Sequence, residues 1–388
     1  MLRGSQNTQF HTAALSNVLL VLAVFPWSVS GGQEILPPKD LSAAAEPVAA
    51  GEASWVITED ADVCLQCAEG PCQCQHRRGI FPNSGPPGVL QRFVHRDHNN
   101  GSHWTFSTDA VLFWRNAPPA RELANLFTGS DVVSALSANQ LDSTPAAGPR
   151  FRILHTDSCG NAAEFIYLRA FNFRSQRTLT DPSTILSRYE PADLFGNNTQ
   201  AFRTADINLG SNFQTFEANS RTPIGAGSLT FISGFRWLEF QEAFTMDTSL
   251  QTLQYNYAAS VTNSLYGGQL GIDALLLTTP WLRINSWLKG GGFYNNSVQH
   301  TAYQSNVPIP ASFENSVSKI PAAGSFVGEV GVNGTIDITN AIGIRFGYTA
   351  FWLESIALAT QQLSDQQNVR PNAGTVLQGV HIGLEGTR

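Results

Sequence analysis

Two stretches in the first third of the chain carry residue types that can do chemistry. The segment CLQCAEGPCQCQH places Cys64, Cys67, Cys72, Cys74 and His76 close together. Thiolates at such spacings can close a tetrahedral zinc site, but only one C-x2-C knuckle is present where a zinc site would usually carry two. In an oxidising compartment the same cysteines pair as disulfides, and that is the reading adopted here. The fifth cysteine, Cys159, lies in the turn-like HTDSCGN and could pair with the N-terminal cluster or with another chain. The second stretch, HRDHNNGSH, gathers His95, Asp97, His98 and His103. Three imidazoles and a carboxylate could hold a metal, and Asp97, Asn99 and Gly101 echo the start of a calcium loop. The later ligands and the bidentate glutamate of such a loop are missing, so a polar turn leading into the first strand accounts for the stretch, and no metal is expected.

Other enzyme signatures are absent from the sequence. There is no G-x-S-x-G elbow, no H-E-x-x-H, no phosphate loop and no dinucleotide fingerprint. The chain therefore reads as non-enzymatic, with no cofactor. A hydrolase assembled from separate strands is the one enzymatic alternative, with His381 and Asp273 as its inward candidates.

Composition narrows the environment. The 388 residues are 14 % charged, with 33 glycines, 24 phenylalanines and 2 methionines. Soluble domains are roughly 25 % charged. The net charge of −7 gives no basic patch, so nucleic acid is not an expected partner. Residues 1–30 read as a signal peptide: Arg3 supplies the charge, Ala13 to Val24 the short apolar stretch, and SVS at 28–30 the small residues for cleavage. Residues 31–103 form a disordered linker and Cys/His-bearing N-terminal extension, rich in Pro, Ala and Gly at its start.

From Trp104 onward the elements that would position any site are strands. In AIGIRFGYTAFW, Ile342, Ile344, Phe346, Tyr348 and Trp352 alternate with Gly343, Arg345, Gly347 and Thr349. Successive side chains of a strand point to opposite faces, so one face is greasy and the other small or polar. The same pattern recurs at 265–276, 282–291, 326–338 and 379–385, less cleanly at 228–240, and weakly at 104–115, 163–174, 201–209, 212–219 and 250–260. A soluble sandwich would carry Lys, Glu and Thr on its polar face. Here that face carries glycine and a few charges of either sign, which suits a crowded barrel interior. Several runs reach about 12 residues, enough for a tilted strand to cross a bilayer.

The expected fold is therefore all-β: a closed antiparallel transmembrane β-barrel of about 10 to 14 strands over residues 104–388. By parity its lumen is lined by Arg236, Asp273, Arg283, Lys289, Glu329, Asp337, Arg345 and Glu385. These charges either pair and plug the barrel or line a water-filled path and set its ion preference. Two Pro-, Asn- and Ser-rich stretches, 176–200 and 295–323, are expected to be long outer loops.

Several segments resemble one family, the planctomycete-type outer-membrane β-barrel proteins. They are ADINLGSNFQTFEANSR (205–221), SLTFISGFRWLEFQEAF (228–244), TNSLYGGQLGIDA (262–274), WLKGGGFYN (287–295), IRFGYTAFWLESIA (344–357) and QGVHIGLEG (378–386). In the third, Asn263, Tyr266, Gly267, Gln269 and Gly271 stand at matching positions. The resemblance implies a porin-like barrel in a bacterial outer membrane, in contact with lipid and the barrel-assembly machinery, with small solutes as possible cargo. It acts as a passive pore or as a structural surface barrel. A secreted soluble β-sandwich used in binding or adhesion is the alternative. The chain departs from many outer-membrane barrels by ending in Arg388 rather than an aromatic residue.

Overall fold

The computed structural model of the protein describes residues 101–128, 131–187, 200–225, 228–306, 315–363 and 369–388. The signal peptide, the four clustered cysteines and His95, Asp97 and His98 lie outside these residues. Twelve strands follow one another: β1 (His103–Arg115), β2 (Glu122–Thr128), β3 (Asp131–Ser137), β4 (Ala146–Thr156), β5 (Ala162–Ser187), β6 (Gln200–Ile224), β7 (Leu229–Leu250), β8 (Leu253–Thr278), β9 (Leu282–Ser305), β10 (Asn315–Asp337), β11 (Ile342–Ile356) and β12 (Ala373–Thr387).

Among the described residues, ten strands close on themselves. The hydrogen-bonded order is β5-β4-β1-β12-β11-β10-β9-β8-β7-β6, and β6 pairs back onto β5. The recorded registers are antiparallel all round the ring, so no edge is left within it. The two-layer sandwich does not form. β1 meets β12 at the seam, and the main chain of Arg388 exchanges both hydrogen bonds with Trp104. The β2–β3 hairpin stands outside the ring order and pairs with the far end of β5.

Side-chain direction follows the alternation. On β1, Thr105, Ser107, Asp109, Val111, Phe113 and Arg115 are buried, while Trp104, Phe106, Leu112 and Trp114 are exposed. On β11 and β12, Ile342, Phe346, Val380, Ile382 and Leu384 face outward, and Arg345, Thr349, Phe351 and Glu385 face in. The outward residues form an apolar belt. From Trp104 to Trp114 it is about 25 Å tall, taking roughly 3.3 Å per residue and a tilt near 40°. Trp104, tilted against His155 with ring centroids 4.5 Å apart, and the exposed Trp281 mark one edge. Polar pairs mark the other: the Tyr348 hydroxyl donates to Gln378 at 2.7 Å, and Gln214 donates to Glu239 at 2.9 Å.

Glycine serves both faces. Outward Gly328 lies under the Trp352 ring and outward Gly334 under Phe346, in spaces that a Cβ would fill. These rings therefore lie flat against the wall, smoothing the belt.

The ring is lopsided. β5, β6, β8 and β9 have 24 to 26 residues, whereas β1, β4, β11 and β12 have 11 to 15. The tall strands rise well beyond the belt. Their concave face is filled by Leu123, Leu136 and Leu141 from the β1–β4 connection and by Ala357, Leu363 and Val369 from the β11–β12 connection. These pack against Phe202, Ile207, Phe244 and Tyr303.

This height corrects the expected loops. β5 continues to Ser187 and β6 begins at Gln200, so about half of 176–200 is strand; likewise β9 runs to Ser305 and β10 starts at Asn315, inside 295–323. Above a bilayer both faces of a strand can be polar, so a loss of greasy alternation is not a loss of pairing. For the same reason 201–209 and 212–219 are one strand, as are 253–260 and 265–276, while 250–252 close the β7–β8 turn. The sequence windows also missed β4, whose Gly148-Pro149 looks like a turn, and the short β2 and β3.

Candidate functional site: the charged lumen

All eight charges singled out by parity lie inside the barrel, together with a similar number the alternation windows did not single out. They sort into three clusters, each with equal numbers of acids and bases. In the first, Glu217 and Glu329 meet Arg236 and Lys289. Arg236 lies 2.7 Å from Glu217 and also bonds Glu329; Lys289 is 2.8 Å from Glu217 and 3.0 Å from Glu329. Gln269 and Asn219 donate to Glu217 at 2.8 and 3.0 Å, and the Trp287 indole donates to Glu329 at 2.6 Å.

The second cluster joins Glu164 and Asp273 to Arg152 and Arg221. Arg152 is 2.6 Å from Glu164; Arg221 bridges Glu164 at 3.3 Å and Asp273 at 2.5 Å. In the third, Arg150 is 2.8 Å from Asp109 and Arg345 is 3.1 Å from Glu385. Arg283 spans Asp337 at 3.0 Å and Glu385 at 2.8 Å. His381 sits beside this cluster, its Nε2 3.1 Å from Asn333 and 3.4 Å from the Arg150 guanidinium. The sequence signal for Asp109 and Glu217 was there, since both lie at inward parity in windows 104–115 and 212–219. Glu164 likewise lies at inward parity within 163–174, whereas Arg150, Arg152 and Arg221 fall in or beside strands whose bounds the alternation missed.

Of the charged side chains in the three clusters, all but Arg236 and Asp109 line a cavity of about 1190 Å³ that includes Ser228, Thr279, Pro280 and Ala341 at the short-turn end of the barrel. Its lining also includes Leu168, Ile232 and Phe351. Phe351 belongs to an aromatic layer across the lumen: its ring centroid is 5.3 Å from Phe213 and 5.9 Å from Phe113, and Phe240, Phe293, Leu238 and Leu265 complete the apolar packing. Arg236 sits over the Phe351 ring at 5.7 Å, tying the ion pairs to this layer.

No family model matches the chain, and no curated sequence is significantly similar to it. Among solved structures it is similar to the outer membrane protease OmpT from Escherichia coli, at 9 % identity over 74 % of this chain and 96 % of that chain, with a TM-score of 0.32. It is also similar to the Pseudomonas putida toluene transporter TodX, at 8 % identity, 74 % and 89 % coverage and a TM-score of 0.25. A third is an anion-selective porin from Comamonas acidovorans, at 11 % identity, 74 % and 100 % coverage and a TM-score of 0.16. At such values none of the three carries an argument about what this chain does; the closed ring stands on its own hydrogen bonds.

Among the described residues, no group of three or more His, Cys, Asp or Glu side chains is placed to hold a metal. His103, one of the four metal candidates, is the first residue of β1. Cys159 lies exposed in the turn between β4 and β5 and is disulfide-bonded.

Proposed function

We propose that the chain is a bacterial outer-membrane β-barrel with a closed lumen, a passive structural surface barrel rather than an open diffusion pore. The observation that carries this reading is that the cavity at the short-turn end is lined by charge-balanced clusters and ends at a phenylalanine layer packed across the lumen. A ring of one sign of charge would set an ion preference, and clusters that neutralise themselves do not. The apolar belt supports lipid as its neighbour, since a closed ring satisfies every backbone group that hydrocarbon would leave unpaired. The β4–β5, β6–β7, β8–β9 and β10–β11 turns, each of three to five residues, lie on one side with both barrel ends, the usual periplasmic arrangement, and the disulfide of Cys159 suits that oxidising compartment. Export through residues 1–30, insertion by the barrel-assembly machinery and the planctomycete-type resemblance belong to the same reading.

A passive role is favoured over hydrolysis because the His381 ring is engaged by Asn333 and Arg150 rather than by a serine hydroxyl. The test is conductance of the purified full chain in planar bilayers. The expected outcome is a trace at the level of the bare membrane. Steady ohmic steps from the wild-type chain would overturn the closed-barrel reading in favour of a narrow pore for small solutes.

A further inference from the structure

The β11–β12 connection does not leave the barrel as an outer loop. At Ser355 the chain adopts a left-handed φ of 60°, and the register with β12 shifts between Glu354 and Ile356. A non-glycine residue in that region bears a steric cost and persists only where its surroundings fix it. They do so here: the Ser355 carbonyl accepts from Ser325 at 2.7 Å and from Asn295 at 3.4 Å.

Beyond Ser355 the chain turns inward and reaches β8, three strands away round the ring. The Asn263 amide on β8 grips Ala357 twice, donating to its carbonyl at 2.7 Å and accepting its N–H at 2.8 Å. This is the bond pair one strand offers another, supplied by a side chain. Ser297 donates to the same Asn263 oxygen at 2.9 Å and helps fix the amide. Two residues on, the Ala359 N–H donates to Glu242 on β7 at 2.5 Å. Glu242 in turn pairs with Arg115 on β1 at 2.6 Å, both side chains being fully buried. Ile356 and Leu358 pack on the phenylalanine layer, while Ala357 and Ala359 belong to the outer core.

We infer that residues 356–363 form a strap that seals the lumen from the outer side, latched by Asn263 and Glu242 and acting in series with the Phe113–Phe213–Phe351 layer beneath it. The inference rests on the closed-barrel reading and adds that either seal suffices alone. The chemistry of the two differs: the strap depends on directed hydrogen bonds, the layer on apolar packing.

The experiment compares four full-length chains in planar bilayers: wild type, Asn263→Leu, Phe351→Ala and the double variant. Each is first checked for folding by its shifted gel mobility before heating. Discrete steps are expected from the double variant and absent from the other three. Steps from wild type would overturn the closed-barrel reading itself. Steps from either single variant would overturn the arrangement in series, and silence from a folded double variant would overturn the strap as a seal. A second readout does not depend on conductance. A cysteine placed by Leu358→Cys should resist a membrane-impermeant maleimide applied from the outer side, and should react when Asn263→Leu is added. Equal labelling in the two backgrounds would show that Asn263 does not latch the strap.

Discussion

Glu217 and Arg236 are direct partners in the β6–β7 register, and their side chains lie 2.7 Å apart with almost no exposure to solvent. Arg236 also bonds Glu329 on β10, so one guanidinium ties strands that are not neighbours in the ring. Buried charges of this kind cost about several kcal/mol each in desolvation, and they persist only when every partner is in place.

Removing that guanidinium should therefore be severe. With Arg236→Met, Lys289 alone faces Glu217 and Glu329. The expected loss is about 3–5 kcal/mol, the usual effect of breaking a buried pair from one side. Adding Glu329→Gln restores the balance of the cluster and should recover part of it. The temperature at which the folded form is lost in a heated-versus-unheated gel checks both. An unchanged temperature for Arg236→Met would contradict the ion-pair account.

The lipid face has its own test. Ile382 is 61 % exposed near the middle of the belt. Ile382→Lys should cost about 2–4 kcal/mol in the bilayer, the range for a lysine near the midplane of a membrane barrel. Refolding into lipid vesicles at increasing urea measures it. A cost near zero would mean that this face meets water.

Glycine slots predict a contrast within one strand pair. A Cβ on Gly328 would fall 2.0 Å from the Trp352 ring, whereas one on Gly292 meets nothing within 4 Å. Gly328→Ala should displace the indole, cost about 1–3 kcal/mol through overpacking, and shift the tryptophan emission. Gly292→Ala should leave both unchanged.

Cys159 is exposed in a turn outside the lumen. Its disulfide should thus be dispensable for the barrel. Cys159→Ser should alter the gel pattern without reductant and keep the heat-dependent mobility shift. Loss of that shift would mean the disulfide supports the ring.

How much of this was legible in advance varies residue by residue. The two faces of β11 could be read directly, because a period of two assigns Ile342 and Arg345 to opposite sides whatever surrounds them. The inward direction of Asp273, Lys289 and Glu385 follows from the same parity. Their partners do not. Glu385 meets Arg283 from β9 across 102 positions of sequence, and Arg236 meets Glu329 across 93. Such pairs depend on which strands close the ring and at what stagger, and alternation carries no record of either. Asn263 shows the same limit: a polar residue at inward parity gave no hint of the strap it grips.

By itself the sequence determined the period, and so which side chains turn outward to form the belt and which turn inward. Only the tertiary structure decided that ten strands close, that the inward charges cancel one another, and that the connection after Ser355 folds across the lumen. Parity is a local property of the extended backbone, while closure and pairing depend on contacts between residues far apart in the chain.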